Sequence, residues 1–403
     1  MTLGVVYHMP MWVGPDGRLR ELEGSFARYV DSLAPYFDEV SLCVPVRRDP
    51  PGEGSAIRAP NVTLAPLPAF DGPVQFYPRL GAVLPRLWRW MRRIDLLHCR
   101  VPSPAAVFAF AVARLFRRPA FLLVVGDLEA ALPEMPYQGI KRVLWRAYTG
   151  FEERSIRWMV RRSLTFANGP ALAAKHGKSV RPVHETITTT IGERDIGTRT
   201  DTCTGARIRA LTVSRIDRRK GLRVLPAVVR LLVDAGIDLH LDIVGPPVGR
   251  PGEAERAAIL DGAHRAGVAD RVVFAGAMPL DRLMTLYGDY DLFVLPTLPG
   301  EGVPRVLLEA MSAGLPIVVT RVAGIPGLVV HESNGLLVEP ENPRALAAAM
   351  ERIVRDAPLR RLLIAEAYTT ARHCTLEAQA ARMMDKVSRT LHIGMRCAQK
   401  SVS

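Results

Sequence analysis

Cysteine is scarce in this sequence and is never paired at close spacing. The five cysteines are scattered, with no CxxC motif: Cys43, Cys99, Cys203, Cys374 and Cys397. This scarcity argues against a disulfide framework or a structural zinc site and is typical of a protein in a reducing cytoplasm. Glycine and proline each occur 32 times, which is near ordinary usage, so low complexity is not indicated.

Long hydrophobic runs are also missing. The longest nearly uninterrupted apolar stretch, Ala105 to Ala113, is too short to span a bilayer. The N-terminal residues 1–8 have no basic region before their apolar residues, so we expect a buried strand there rather than a signal peptide. The expectation is a cytoplasmic protein, either soluble or peripheral at the inner face of the cell membrane.

Acidic residues are scarce between Arg79 and Arg118. Asp95 stands there against nine arginines, in a chain of net charge +13: residues 79, 86, 89, 92, 93, 100, 114, 117 and 118. Such an excess can steer a protein to anionic lipid, nucleic acid or a phosphorylated acceptor. A solvated, arginine-rich face is an equally good interpretation.

Two stretches, 85–93 and 141–148, mix tryptophan with arginine. Tryptophan beside arginine on an amphipathic helix suits a membrane interface. A helix packed on a sheet is the alternative, and it is favoured for residues 141–162.

A chain of 403 residues that is 48% hydrophobic can bury two sizeable cores. Apolar runs alternate with helical patterns in both halves, which predicts two α/β domains of Rossmann type. The hydrophobic pattern lapses at residues 192–205. We therefore predict a first domain at 1–195, a linker at 196–205, a second domain at 206–373, and a last helix with its tail at 374–403.

Residues 301–316 are the most informative stretch. Apolar runs at 291–296 and 317–320 flank it, which indicates a βαβ unit of a parallel sheet. Pro304 can sit in the first turn of the helix and Gly314 can end it, which predicts about three turns. The helix N-terminus would open at the carboxyl end of a strand, where free N–H groups favour an anion.

Glu301 precedes this helix and Glu309 lies within it. Their spacing resembles the E-x7-E motif of the retaining glycosyltransferases with two Rossmann-like domains, the GT-B, family 4-like group. The resemblance covers nearly the whole chain and is most specific from Ala206 to Pro340. It implies two domains facing each other across a cleft, with the last helix crossing back to the first domain. Two solvated glutamates on a surface helix are the alternative.

The resemblance also implies roles for individual residues. Glu301 would contact the donor sugar and Glu309 the ribose hydroxyls. Arg215 and Lys220 match the arginine and lysine with which family members hold the nucleotide diphosphate. Fixed cations would stabilise the charge gained by the leaving group. A basic turn without a ligand is the alternative.

The resemblance implies further contacts with the donor. The N–H groups near Gly302, Val303 and Val306 would bind the diphosphate, and Gly276 and Met278 would form the wall on which the base stacks. Gly24 stands where relatives have a glycine-rich loop near the phosphates. Asp127 stands where many relatives have a histidine beside the reacting sugar carbon. It could stabilise positive charge on the sugar or receive the acceptor proton. A helix N-cap is the alternative.

Asp289-Tyr-Asp291 matches the D-x-D signature by which another glycosyltransferase fold holds a divalent metal. Here it precedes an apolar strand of a βαβ array, with no evident cluster of further oxygen ligands, so we interpret it as structural. We expect neither a metal nor another cofactor.

These observations predict a metal-independent transferase that moves a sugar from a nucleotide diphosphate sugar, with retention, to a glycan or polyprenyl-lipid-linked acceptor in cell-surface polysaccharide or glycolipid synthesis. An anionic membrane surface is a further candidate partner, and no nucleic-acid partner is expected. The alternatives are an epimerase or phosphorylase of the same fold, and a nonenzymatic basic protein that binds membrane or nucleic acid.

Overall fold

The structure is a computed structural model and describes residues 1–49, 52, 54–70, 72–132, 139–177, 181–299, 303–322 and 324–395. The chain divides into two compact units, Met1–Thr188 with Gln379–Ser403, and Thr189–Ala378. The division comes between Thr188 and Thr189, and the residues predicted as a linker, 196–205, are part of the second unit. Among the described residues, none of the helices combines the length and hydropathy that a bilayer-spanning segment needs.

The described residues of the first unit form ten strands and seven α-helices, apart from the last helix of the chain. The strands are β1 (Thr2–Val6), β2 (Trp12–Val13), β3 (Leu19–Glu21), β4 (Glu39–Pro45), β5 (Ser55–Ala56), β6 (Val62–Leu67), β7 (Leu96–Val101), β8 (Ala120–Val124), β9 (Leu164–Asn168) and β10 (Val183–Thr186). The helices are α1 (Ser25–Leu33), α2 (Gly72–Phe76), α3 (Leu80–Met91), α4 (Pro104–Leu115), α5 (Leu128–Ala131), α6 (Gly139–Val160) and α7 (Pro170–His176).

Seven of these strands form a parallel sheet in the order β6-β4-β1-β7-β8-β9-β10. The strand order reverses between β1 and β7, which makes that point the switch point of the sheet. β7 and β8 are buried along their whole length, as expected of strands covered on both faces.

Helices cover both faces of this sheet. α3, α4 and α6 share one core with the sheet residues Cys99 and Leu122. α1 shares the other core with Val5 and Phe121. Residues of the last helix of the chain, among them Met383 and Val387, also belong to this second core. The C-terminal helix therefore packs on the first unit, as the resemblance implied.

The first unit also contains a small antiparallel sheet that was not predicted from the sequence. β3 pairs with both β2 and β5. These strands are only two or three residues long. So short a strand shows no alternation of polar and apolar residues that could reveal it.

Where the structure describes the second unit, it has six strands: β11 (Arg207–Val213), β12 (Asp238–Val244), β13 (Val272–Gly276), β14 (Leu292–Leu295), β15 (Ile317–Thr320) and β16 (Leu336–Val338). Its helices are α8 (Leu225–Asp234), α9 (Gly249–Arg265), α10 (Leu280–Leu286), α11 (Arg305–Ser312), α12 (Pro343–Arg355) and α13 (Ala357–His373), and α14 (Leu376–Leu391) leads back to the first unit. The parallel sheet has the order β13-β12-β11-β14-β15-β16, which is that of dinucleotide-binding folds. Its switch point lies between β11 and β14.

The helix of the central stretch is shorter than predicted. α11 has eight residues, about two turns rather than three. Pro304 has φ −68° and ψ 126°, so it is the extended N-cap and not part of the first turn. Gly314 has φ 70° and follows the C-cap, as predicted. The predicted βαβ unit is confirmed, since β14 and β15 are adjacent and parallel.

Gly221 lies where the loop after β11 contacts the loop after β14. Its φ is +64°, and a Cβ there would lie 2.1 Å from the carbonyl oxygen of Pro296. Both the backbone conformation and the space therefore require glycine.

We expect Gly221→Ala to lower the free energy of unfolding of the second unit by about 2–4 kcal/mol, because it adds a clash to an unfavourable backbone conformation. The matched control is Gly236→Ala, at φ +79° with no other heavy atom within 4 Å of the added Cβ. This control should lower the free energy of unfolding by only about 1–2 kcal/mol, because its sole penalty is the unfavourable backbone conformation. Urea unfolding followed by far-ultraviolet circular dichroism measures both; equal losses would contradict the close approach.

His98 lies in the core of the first unit and is fully buried. Its ring stacks on Phe121 at 4.2 Å, and its Nε2 lies 2.8 Å from the Tyr29 hydroxyl. Burial, reinforced by the positive charge of Arg100, lowers the pKa of His98 from 6.5 to about 3. The imidazole is therefore neutral at neutral pH.

The stability of the first unit should depend on pH through this histidine. Between about pH 6.5 and 3 the unfolded chain binds a proton that folded His98 does not, so the free energy of unfolding falls as the pH is lowered through this window. The slope reaches about 1.4 kcal/mol per pH unit. Tryptophan fluorescence at pH 7, 6 and 5 in denaturant reports it, since all five tryptophans lie in the first unit.

His98→Gln is the control for this pH dependence. Glutamine keeps an acceptor for the Tyr29 hydroxyl and cannot titrate. The variant should lose stability less steeply than the natural protein as the pH falls. Identical slopes for the two proteins would mean that His98 is not held neutral by the fold.

Candidate active site

Two predicted cations lie at the switch point of the second sheet. Arg215 follows the end of β11, and Lys220 ends the turn Arg218–Lys220. This turn is tied to the segment after β14, because the Arg219 carbonyl accepts hydrogen bonds from Leu298 N (2.6 Å) and from the Thr297 hydroxyl (3.1 Å). The structure therefore brings both cations to the edge where open α/β sheets bind ligands.

The charges of this turn are not equivalent. Asp217 caps the turn at Arg219 N (3.0 Å) and forms an ion pair with the Arg219 guanidinium (3.3 Å). Arg215 is exposed, and no ion pair joins it to any other described residue. Lys220 is 9% exposed. Arg219 is thus already neutralised, whereas Arg215 can still take an anion.

The loops after the neighbouring strands line up along the same edge. Ile216 N donates to Pro246 O (2.8 Å), and Gly245 N donates to Gly276 O (2.8 Å). Gly276 is exposed and Met278 is half-buried. Of the predicted base-stacking residues, Gly276 therefore ends β13 and Met278 follows it, on the same edge of the sheet as Arg215.

Glu309, the second glutamate of the E-x7-E pair, is buried. It is 3% exposed, so the alternative of a solvated glutamate is wrong for this position. Its Oε1 accepts a hydrogen bond from the Thr190 hydroxyl, and its Oε2 accepts one from Tyr287 at 2.9 Å. Burial and the Glu309 carboxylate together hold the pKa of Tyr287 well above its ordinary value, so the phenol remains a donor.

Val303 and Val306 are half-buried at the N-terminal end of α11. Glu301 and Gly302, predicted to contact the sugar and the phosphates, lie outside the described residues. The part of the predicted site that the structure describes on α11 is therefore the helix with Glu309.

Asp127 has structural partners in the first unit. Its Oδ1 accepts from Glu129 N (3.0 Å) and Ala130 N (3.1 Å), as the N-cap of α5, and from Lys175 Nζ (2.7 Å). Burial raises the pKa of Asp127, but Lys175 and the helix N–H groups outweigh it and hold the pKa below its ordinary value. These contacts are those of the N-cap alternative, and the lowered pKa makes Asp127 a weaker base than a free carboxylate.

Gly24 lies at the N-terminus of α1 with φ 77°. The N–H groups expected to face a phosphate are occupied there: Glu21 Oε1 accepts from Phe26 N (2.9 Å) and Ala27 N (3.2 Å). Glu21 is fully buried. This internal carboxylate takes the place predicted for a donor phosphate beside Gly24. The signal missed in the sequence is an acid a few residues before a helix, which caps its free N–H groups.

Asp291 is structural, as predicted. Its Oδ1 accepts from Cys203 N (2.8 Å) and its Oδ2 from Arg209 N (2.9 Å). Both carboxylate oxygens therefore bind backbone N–H groups at the entrance of the sheet.

Known proteins resemble part of the chain in sequence and nearly all of it in fold. Residues 207–356 match the family model described as Glycosyl transferases group 1. The amylovoran biosynthesis glycosyltransferase AmsK of Erwinia amylovora is 33% identical over 151 residues, 36% of each chain. The putative colanic acid biosynthesis glycosyltransferase WcaL of Escherichia coli is 32% identical over 145 residues, 35% of this chain and 34% of WcaL. The matched stretch spans about a third of the length of these relatives.

Among solved structures, Anabaena Alr3699/HepE in complex with UDP is similar with a TM-score of 0.68 at 17% identity, over 96% of this chain and 100% of HepE. This similarity concerns the fold. Over residues 207–356 the chain is similar to the glycosyl transferases group 1 family, and the fold of its two parallel-sheet α/β units matches that of GT-B glycosyltransferase structures.

Proposed function

We propose that this protein transfers a sugar from a nucleotide diphosphate sugar to an acceptor, with retention of the anomeric configuration. The observation that carries the proposal is that Arg215 and Lys220 follow β11 while α11 follows β14, the two strands at the switch point of the second sheet. The HepE structures, which contain UDP and UDP-glucose, support a donor of this class. The names of AmsK and WcaL support a role in polysaccharide biosynthesis.

The diphosphate would be held by Arg215 and Lys220, with the N–H groups of Val303 and Val306 at the start of α11. A departing nucleoside diphosphate gains negative charge, and fixed cations at a site with little water stabilise that charge most. The acceptor would approach the face that the diphosphate leaves, through an oxocarbenium-like state. In this proposal the two cations supply the charge stabilisation, and no metal takes part.

Glu309 would hold the ribose while Glu301 holds the sugar hydroxyls. A carboxylate offers about four acceptor sites, and the hydroxyls of Thr190 and Tyr287 use two of them. The remaining sites can accept from two ribose hydroxyls. Thr190 and Tyr287 fix the orientation of the carboxylate before the nucleotide arrives.

We expect Lys220→Ala and Arg215→Met each to lower turnover by about 10²-fold or more, the loss typical of removing one fixed stabiliser of transition-state charge. Turnover is measured as sugar transfer from a panel of labelled UDP-, GDP- and ADP-sugars. The matched control is Arg218→Met, which removes an exposed arginine from the same loop and should change turnover less than about twofold.

Unchanged transfer by both Lys220→Ala and Arg215→Met would refute the assignment of the diphosphate site. Product analysis in the same assay separates the alternatives, since an epimerase converts the labelled donor without any acceptor. Wild-type protein that neither binds nor consumes any of these nucleotide sugars would instead favour the nonenzymatic alternative.

We also propose that the first unit docks on an anionic membrane surface, where a lipid-linked acceptor would be found. The first half of α6 exposes an apolar stripe at helical spacing: Ile140 at 77%, Val143 at 65% and Leu144 at 63% exposure. Exposed Lys141 and Arg142 lie beside it. A packed helix was the favoured interpretation of 141–162, and it holds only for the second half, which buries Ile156, Met159 and Val160.

The neighbouring helices add to this surface. α4 contacts both α3 and α6, and all three cover one face of the sheet. α3 exposes Leu84 and Trp88 among Arg86 and Arg89. Apolar side chains interspersed with cations complement the headgroup layer of anionic lipid.

Replacing Ile140, Val143 and Leu144 with serine should lower binding to vesicles of phosphatidylcholine with phosphatidylglycerol at least about tenfold, because these side chains would enter the interface. Co-sedimentation with the vesicles measures this binding. The control is Val330→Ser with Leu362→Ser, two exposed apolar residues of the second unit, which should bind as the natural protein does. Binding that is insensitive to salt and to phosphatidylglycerol would contradict the role of the arginines.

A further inference from the structure

The first sheet carries a buried cation at its own switch point. Arg100 is near the carboxyl end of β7, next to β1, and is 9% exposed. Its guanidinium carbon lies 4.8 Å from the ring centroid of Tyr7, 5.3 Å from that of Phe26 and 4.4 Å from that of Tyr29. Three aromatic rings thus surround the charge and hold it in place.

Arg100 lacks a counter-ion among the described residues. Its Nε and one terminal nitrogen have no hydrogen-bond partner, and no acidic side chain of the described chain forms an ion pair with it. A buried charge without a partner is costly, and aromatic faces replace only part of its lost hydration. This arrangement is therefore incomplete unless an anion joins it.

The groups beside Arg100 add no negative charge. Burial and the charge of Arg100 lower the pKa of His8 to about 4, and His98 is neutral for the same reasons. Ser103, three residues further on, is the N-cap of the twelve-residue α4 but makes no capping bond, and its hydroxyl is buried without a partner. The helix N-terminus adds a positive potential at this end of the sheet. Cation, hydroxyl donor and helix end all favour an anion.

We propose that Arg100 and Ser103 form an anion site for a phosphate or carboxylate group of the acceptor. This rests on the proposed function and adds to it that the first unit receives the acceptor. It specifies the acceptor class: a molecule that carries a negatively charged group. A phosphate-linked lipid and an acidic sugar present the same charged oxygens, and the two arms of the experiment below distinguish them.

The test is the thermal stability of the full chain in inorganic phosphate and, separately, in acetate, read by tryptophan fluorescence from the first unit. Phosphate should stabilise the natural protein in a saturable way. Arg100→Met should weaken the binding of phosphate about 10- to 100-fold, the loss expected for charge-assisted hydrogen bonds. Without phosphate, Arg100→Met should be no less stable than the natural protein, because methionine removes an unpaired buried charge.

Two further variants complete the design. Ser103→Ala removes one hydrogen-bond donor and should weaken the binding of phosphate about two- to tenfold. It serves as the second test should Arg100→Met fail to fold. Arg215→Met removes a cation from the second unit and should leave the phosphate effect on the first unit unchanged. Acetate that stabilises as strongly as phosphate, with the same dependence on Arg100, would assign the site to a carboxylate.

The inference is overturned if neither anion stabilises the natural protein, or if Arg100→Met and Ser103→Ala respond to phosphate as the natural protein does. It is also overturned if the phosphate effect disappears in Arg215→Met and persists in Arg100→Met. None of these outcomes depends on sugar transfer. A failure of the anion site is therefore distinguishable from a failure of the proposed function.

Discussion

The second unit depends on one backbone contact between two loops. The Arg219 carbonyl accepts hydrogen bonds from Leu298 N and from the Thr297 hydroxyl, while Gly221 lies against Pro296 without room for a side chain. This contact closes the switch point of the sheet and fixes Lys220 beside the segment that leads into α11. The backbone position of Lys220 is therefore set by the packing of these two loops.

The two units share one strand order but use their switch points differently. In the second, Arg215 is exposed in a loop, where it can meet a large, hydrated anion. In the first, Arg100 belongs to a strand and is enclosed by aromatic rings. The helix N-terminus expected to bind phosphate in the first unit is capped by Glu21 instead. The same topology thus supports different chemistry in each half, because function depends on side chains at the strand ends.

Long, strongly patterned elements were predictable from the sequence. The last helix was predicted within residues 374–403, and it occupies Leu376–Leu391. Periodicity identifies such helices because each buries one apolar face. Strands of two or three residues escaped detection, and α11 was predicted a turn too long because a proline can serve equally as N-cap or first helical residue.

The sequence by itself determined the two α/β units, the cations Arg215 and Lys220 at a strand end, and the helix that carries Glu309, since hydrophobic period, glycine and charge are local properties of the chain. Only the tertiary structure decided which charges are already paired. Lys175 meets Asp127 from 48 positions away and Thr190 meets Glu309 from 119, so no local pattern reveals either contact. Arg100 was counted in the sequence as one of nine arginines on a basic stretch. Arg100 is the one buried arginine of these nine, because side chains on both faces of a central strand lie under the helices that cover the sheet, whatever their charge.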